Sequence, residues 1–372
     1  MGVPRRRLQG PAHLRWELSE EPAPQGALFA PARREVGRGE FRGMEFLHVE
    51  ARRIINEVKG GGEDPFLPFR YTINPYRGCS HACTYCFARP THEYLGLDTG
   101  PDFDQRIVVK VNAVERLRAE LVPSRWAGHL IAMGTNTDPY QHCEGKYRLT
   151  QGIIRTLVEA ENPFSILTKS TLVLRDIDLL AEATHRTEVR VNVSIGTLDE
   201  SVWRSTEPGT PHPRQRLRAV EQLNEAGVPC GVLVAPIIPG LSDAPGQLAE
   251  VGRACVEAGA VSVSAVLLHL RPGVKEHFLS ELGRTHPHLL SRYRKLYRGA
   301  YAARDERRTS AARLHAAVRA AGGLPANVMD GDHLVGQPSA RSGSNTPASP
   351  IGSAAEVDIR PRALIRQLDL GL

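Results

Sequence analysis

The chain has no long hydrophobic run. Nothing in its 372 residues approaches the roughly twenty apolar positions a helix needs to cross a bilayer, so no membrane span is expected. No apolar stretch follows Arg5-Arg6-Arg7, which argues against a secretory signal. Cysteine is scarce: six residues are too few for a disulfide scaffold in a chain of this length. These absences lead us to expect a soluble, cytoplasmic protein. Periodicity is missing in two places. Residues 1–43 are rich in Pro, Gly and Arg and read as a flexible basic arm. Residues 331–353 are rich in Ser, Gly and Pro and read as a linker. What is present is a 41% hydrophobic content, enough for a sizeable core. The formal charge of +6 leaves room for a polyanionic partner without requiring one.

The scarce cysteines are unevenly spent. Cys79, Cys83 and Cys86 fall within eight residues, spaced C-x3-C-x2-C, in Asn74-Pro75-Tyr76-Arg77-Gly78-Cys79-Ser80-His81-Ala82-Cys83-Thr84-Tyr85-Cys86-Phe87. Thiolates are soft ligands for zinc, copper(I) or iron–sulfur clusters. Closed zinc sites and ordinary electron-transfer clusters normally take four protein ligands. Three leave one metal position open to something other than protein. A zinc knuckle or an incidental loop is the bland alternative. His81 inside the loop reads as a hydrogen-bonding residue rather than a fourth ligand. Free thiolates also require a reducing compartment.

At these residues the sequence resembles the radical S-adenosylmethionine (SAM) superfamily, whose signature is this spacing with an aromatic, here Tyr85, before the last cysteine. The resemblance implies a [4Fe–4S] cluster on Cys79, Cys83 and Cys86. Its open iron would chelate SAM, and one electron would split SAM into methionine and a 5′-deoxyadenosyl radical. It also implies a reducing partner such as flavodoxin or ferredoxin. No second cysteine cluster exists, so no auxiliary iron–sulfur centre is expected.

The remainder alternates strand and helix. Strands are expected over 66–73, 129–133, 164–168, 189–195, 231–235 and 261–268. Helices are expected over 149–160, 176–183, 213–226 and 247–258, with a short basic helix over 52–58. Periodicity alone leaves an open doubly wound sheet and a barrel equally available. The resemblance implies the partial (β/α)6 barrel, with a flexible N-terminal arm and a helical C-terminal extension. The expected divisions are 1–43 (arm), 44–68 (lead-in), 69–275 (radical SAM core), 276–325 (basic helical extension) and 326–372 (linker and tail).

Strand-end phrases narrow the likeness. Gly134-Thr135-Asn136-Thr137-Asp138-Pro139-Tyr140, Thr168-Lys169-Ser170, Asn192-Val193-Ser194-Ile195, Glu207-Pro208 and Ala235-Pro236-Ile237-Ile238-Pro239 resemble the branch of spore photoproduct lyase and its "DNA repair photolyase" relatives. Carried over by position, Tyr85 and Phe87 would flank the adenine of SAM, and Asn136 and Thr137 its amino-acid end. Lys169 would pair with the carboxylate, Ser194 would reach the ribose or carboxylate, and the backbone of Ala235 would meet the adenine. Read without the resemblance, Lys169 is as easily a surface lysine, Ser194 a core hydroxyl and Asn136 a turn former. The likeness makes nucleic acid the leading substrate class and a peptide the second; a non-catalytic metal-binding sensor is the alternative outside enzymes. One position departs from the branch. The lyases carry a hydrogen-donating cysteine where this chain has Gly134, and Cys143, nine residues on, is the only nearby substitute. Cys143, like Cys230 and Cys255, is otherwise read as a buried small hydrophobe.

Residues 289–320 read as one long helix. Leu289, Tyr293, Leu296, Tyr297 and Tyr301 form its stripe, with Arg292, Arg294, Lys295, Arg298, Arg304, Arg307 and Arg308 interleaved. The stripe fits a helix capping the barrel, and the basic face could lie along phosphates. His142, His212, His269 and His277 have no ligand-like spacing. Val357 to Leu370 is expected to form a short docking element.

Overall fold

The computed structural model describes residues 29–58, 61 and 69–323. The expectations for residues 1–28, the 331–353 linker and the 357–370 element lie outside the described residues. Among the described residues, eleven strands are β1 (Phe29–Val36), β2 (Glu45–Ala51), β3 (Ile55–Glu57), β4 (Tyr71–Ile73), β5 (Tyr76–Arg77), β6 (Arg106–Lys110), β7 (Ile131–Met133), β8 (Phe164–Thr168), β9 (Val189–Ser194), β10 (Cys230–Ile237) and β11 (Val263–Leu267). They form two sheets, one of seven strands and one of four.

The larger sheet runs β11-β10-β9-β8-β7-β4-β3. From β4 to β11 all neighbours are parallel, and only β3 is antiparallel. Sequential strands are therefore spatial neighbours, each returned by helical chain, which is the partial (β/α)6 arrangement. The sheet does not close: β11 and β3 are its two edges. Ile131, Ala132 and Met133, Phe164, Ser165 and Ile166, and Val232, Leu233 and Val234 are consecutive buried residues, as parallel strands covered on both faces require. Its helices, Leu149–Glu159, Ile177–Thr184, Pro213–Glu225 and Pro245–Glu257, match the expected ones to within two residues at each end.

The smaller sheet, β1-β2-β6-β5, was not expected. Residues 29–36, expected to belong to the flexible arm, instead form β1, which pairs antiparallel with β2. On the pleat of β6, Ile107 and Val109 join Phe46, Tyr76, Cys143 and Leu149 on one face, while Val108 joins Leu47, Val49 and Leu97 on the other. The basic helix expected over 52–58 is instead β3. Ile54 and Ile55 are buried, Ile55 pairs with Ile73, and the Ile54 N–H donates to Glu120 Oε1 (2.7 Å). The β-branched pair finds a half-buried pleat more favourable than a helix.

The two sheets meet at residues 71–77. β4 belongs to the larger and β5, two residues later, to the smaller. The cysteine stretch leaves directly from β5, so its first residue is held from two sides.

The expected long C-terminal helix is broken. It forms Leu290–Leu296 and Arg304–Ala320, with irregular chain between them. Gly299, a weak helix former, lies in that gap.

Candidate functional site

The cysteine loop is tied at many points. The Cys79 N–H donates to Phe103 O (2.9 Å) and the Thr84 N–H to Thr206 O (3.0 Å). Arg89, fully buried, donates twice to Cys83 O (3.1 and 2.9 Å) and pairs with Asp104 at 2.8 Å. Gly78 turns the chain into the loop at φ +77°, and a Cβ there would sit 2.9 Å from Phe103 O. Its carbonyl accepts from Thr137 Oγ1 (2.7 Å) and Gln141 Nε2 (3.0 Å). The segment after β7 therefore holds the start of the loop in place.

Asp138 joins three elements. Its Oδ1 accepts from Thr168 Oγ1 (2.6 Å) and the Tyr140 N–H (2.9 Å). Its Oδ2 accepts from the Lys169 N–H (2.7 Å) and lies 3.3 Å from His81 Nδ1. Burial raises the carboxyl, but His81 and these donors outweigh it and leave its pKa below the ordinary value. The loop, the end of β7 and the end of β8 are thus registered on one carboxylate. The reading of His81 as a hydrogen-bonding loop residue agrees with this contact.

Beside it, Lys169 Nζ donates to Ser194 Oγ (2.6 Å) and to Ala235 O (3.1 Å), and Ser194 Oγ donates to the same carbonyl (2.9 Å). The ends of β8, β9 and β10 converge here, where parallel strands collect ligands. Lys169 also stands 3.3 Å from Glu207 Oε1. Glu207 accepts a hydrogen bond from the Tyr85 hydroxyl and pairs with the fully buried Arg216. Burial would raise Glu207, yet Arg216 and Lys169 bring it down to about 2. Arg216 Nη1 also donates to Ser194 O (2.8 Å), so the group forms one connected network.

The three cysteines lie in this setting. Burial pushes each thiol above its ordinary pKa, with Asp138 adding for Cys79 and Glu207 for Cys83. Only a metal would make these sites favour thiolates, and binding would release protons. Among the described residues, no three His, Cys, Asp or Glu side chains converge on a point that a single ion could fill. A cluster asks for a different arrangement, since each thiolate reaches a separate iron. Buried polar atoms without a hydrogen-bond partner among the described residues include Ser80 Oγ and His81 Nε2 in the loop, Asn74 Oδ1 before it and Asn136 Oδ1 after β7. Such orphans are costly unless a ligand meets them. The donor set and these atoms fit a thiolate-held cluster with a polar ligand beside it.

The other expected site residues are placed as follows. Tyr85 is buried, its ring centroid 5.6 Å from Lys169 Nζ. Phe87 faces His269, with ring centroids 5.9 Å apart. Thr137 spends its hydroxyl on the loop, whereas Asn136 keeps a free acceptor. Cys143 is fully buried in the smaller sheet's core with Phe46, Tyr76, Ile107 and Val109. Gly134 has φ +89°, and a Cβ there would lie 1.9 Å from Leu167 O. No side chain fits that position, so this backbone excludes the lyases' cysteine rather than merely lacking it. Sequence reasoning missed Glu207, Arg216, Gln141 and Arg89 as parts of the site. Glu207-Pro208 was visible as a phrase, but nothing in its neighbours marks it as Lys169's counter-ion.

The Radical SAM superfamily model matches residues 73–251. An uncharacterized protein of Mycobacterium tuberculosis is 46% identical over 265 residues, covering 71% of this chain and 77% of that protein. One from Methanocaldococcus jannaschii is 30% identical over 200 residues, covering 54% and 70%. Among solved structures, spore photoproduct lyase complexed with dinucleoside spore photoproduct has a TM-score of 0.52 at 19% identity, covering 70% of this chain and 76% of that one. A form of that lyase with bound AdoMet and the same dinucleoside gives 0.51 at 20% identity, with the same coverage. At these identities the structural likeness speaks for the fold. No helix among the described residues is long and apolar enough to cross a membrane. The family match opens in β4, takes in the whole cysteine loop and runs into the Pro245–Glu257 helix, and on that footing the chain belongs to the radical SAM superfamily and is a radical SAM enzyme.

Proposed function

We propose that Cys79, Cys83 and Cys86 hold one [4Fe–4S] cluster and that SAM lies between it and the ends of β8, β9 and β10, for a reaction on nucleic acid. The bound pair would supply a 5′-deoxyadenosyl radical once an electron arrives from a reducing partner such as flavodoxin or ferredoxin. The observation that carries this reading is the convergence of Lys169, Ser194 and the Ala235 carbonyl beside Tyr85 of the cysteine loop.

The residues divide the work. Lys169 presents a compact ammonium to the carboxylate of SAM, and Glu207 holds that ammonium in place. Asn136 offers its unpartnered Oδ1 to the amino group. Ser194 and the Ala235 carbonyl line the nucleoside side. Tyr85 is fixed by Glu207 and cannot swing away, which keeps the site closed to water. Residues 69–275 would hold this chemistry, and 276–325 would face the substrate. The nucleic-acid assignment rests on the branch likeness and on the basic extension. The lyase reaction itself is not carried over, because Gly134 supplies no hydrogen donor.

Anaerobic reconstitution with iron and sulfide tests the reading. The wild type should take up iron and sulfide in equal amounts and, with SAM and dithionite, release 5′-deoxyadenosine. Cys83→Ala should lose both. Lys169→Ala should keep the cluster and weaken SAM binding about 10- to 100-fold, the worth of a hydrogen bond to a charged group. A mononuclear zinc in the wild type, with no response to SAM, would overturn the proposal.

A further inference from the structure

The break in the C-terminal helix places one aromatic apart from the rest. Tyr293 and Tyr297 are fully buried, and their hydroxyls donate to Pro239 O (2.8 Å) and Leu268 O (2.7 Å). These carbonyls follow β10 and β11, so the two tyrosines pin the basic Leu290–Leu296 helix at the C-terminal ends of the last two strands. That is the end of the sheet at which the cysteine loop and Lys169 lie. Tyr301 does something different. It sits in the gap between the helices, forms a backbone bridge with His269 just past β11, and is 50% exposed. No other Phe, Tyr or Trp among the described residues is exposed to that degree.

Its surroundings are aromatic on one side and cationic on the other. The Tyr301 ring stacks on His269, centroids 5.6 Å apart and planes 28° apart. His269 in turn faces Phe87, the residue that follows the last cysteine. Three rings therefore lead from the cysteine loop to solvent. The Arg307 guanidinium carbon stands 5.7 Å from the Tyr301 centroid. Arg294, Lys295, Arg298, Arg304 and Arg308, on the two helices that flank Tyr301 and in the gap between them, are exposed. Between 292 and 308 the chain has seven Arg and Lys against two acids, Asp305 and Glu306, and so carries most of the overall excess of +6.

We infer that Tyr301 is a stacking platform for an unpaired nucleobase, with the surrounding arginines and lysine tracking the adjoining phosphates. This rests on the nucleic-acid reading above and gives it a location. The chemistry selects the ligand: a flat exposed ring beside cations suits single-stranded or unstacked nucleotides, whose bases present a π-face and whose backbone is anionic. An acidic peptide would use the cations but has no general use for the ring. Paired duplex would satisfy the cations while hiding its base faces. The position also suits the reaction, because a base held at Tyr301 is presented at the open edge of the sheet, next to β11.

The test measures affinity alone, on the full chain, by anisotropy of a fluorescein-labelled single-stranded deoxyoligonucleotide. Tyr301→Ala should weaken binding about 5- to 150-fold, the range for one base–aromatic stack. Tyr301→Phe should bind as the wild type does. An oligonucleotide with abasic sites should bind the wild type more weakly and be indifferent to Tyr301→Ala. The Arg294→Gln/Arg298→Gln double variant should lower the salt slope by about 0.7 for each charge removed, while Tyr301→Ala should leave that slope unchanged. Circular dichroism confirms that each variant is folded, and Tyr301→Phe guards against a fold defect specific to alanine. The platform is overturned by unchanged affinity in folded Tyr301→Ala, by equal loss in Tyr301→Phe, or by an acidic peptide that competes as well as the oligonucleotide does. Wild-type protein that releases 5′-deoxyadenosine yet binds no oligonucleotide also overturns it and spares the cofactor chemistry. Binding without SAM cleavage would do the reverse, supporting the platform and sinking the proposed chemistry.

Discussion

The two sheets use charge differently. At the C-terminal ends of the larger one, Glu207, Arg216, Lys169 and Asp138 are drawn into a connected polar group in which every charge has a partner. On β1, β2 and β6 of the smaller one, Arg34, Glu45 and Arg106 pair near solvent over an apolar layer. A connected group of buried charges costs desolvation and is tolerable only when complete, so it specifies geometry more than it adds stability. A surface pair can be lost with little consequence. The larger sheet's strand ends are therefore organised for position and the smaller sheet for support of the loop that leaves it.

The sharpest way to break that contrast is to remove one member of the buried network. Arg216→Ala would leave Glu207 without its main partner, and we expect a loss of about 3–5 kcal/mol in denaturant unfolding. The acid limb of the wild type should carry the same signature. The folded pKa of Glu207 is depressed to about 2, below the unfolded value of about 4.3, so its contribution is complete above the unfolded value. It is lost as the pH falls from there through about 2. The Arg216→Ala variant should lack that component of acid destabilisation.

Gly134 tests the backbone under the same site. Gly134→Cys would restore the residue type found in the lyases, but its Cβ would collide with Leu167 O and its φ of +89° is strained for any side chain. We expect a cost on the order of 2–4 kcal/mol. Gly134→Ala should cost nearly as much, which would show that the Cβ and not the thiol is at fault. A stable Gly134→Cys protein would mean that the end of β7 can move.

The contrast also explains what could be read in advance. β7 to β11 are short apolar runs, a local signal, so the strands and their ends were legible; Lys169, Ser194 and Ala235 were singled out only by the resemblance, since alone they read as ordinary strand-end residues. The Glu207 network was not legible, because it joins residues 85, 169, 194, 207 and 216, whose relation exists only once the strands are aligned. The smaller sheet was hidden for a related reason: β5 has two residues, and β6 pairs in parallel with a strand some sixty residues earlier. The helix break at 297–303 did have a signal in Gly299, which the leucine and tyrosine stripe masked.

Cysteine gives a milder comparison between the two regions. Cys143 lies wholly within the smaller sheet's core, where burial pushes its thiol well up. Cys143→Ala should therefore cost about 1 kcal/mol as a small cavity and retain SAM cleavage. Loss of 5′-deoxyadenosine release in a stable Cys143→Ala protein would move this residue out of the packing and into the chemistry.

The smallest effect is expected at the outer strand of the smaller sheet. Arg34 pairs with Glu45 but is 55% exposed, and Glu45 keeps Arg106 as a second partner at 3.1 Å. Removing Arg34 leaves no buried charge alone and strips little apolar contact. Arg34→Ala should shift unfolding by under about 1 kcal/mol, and that shift should shrink further at high salt, where exposed pairs are screened. A loss comparable to that of Arg216→Ala, or one insensitive to salt, would mean that β1 anchors the cysteine loop through the sheet and that the division between a positioning sheet and a supporting one is wrong.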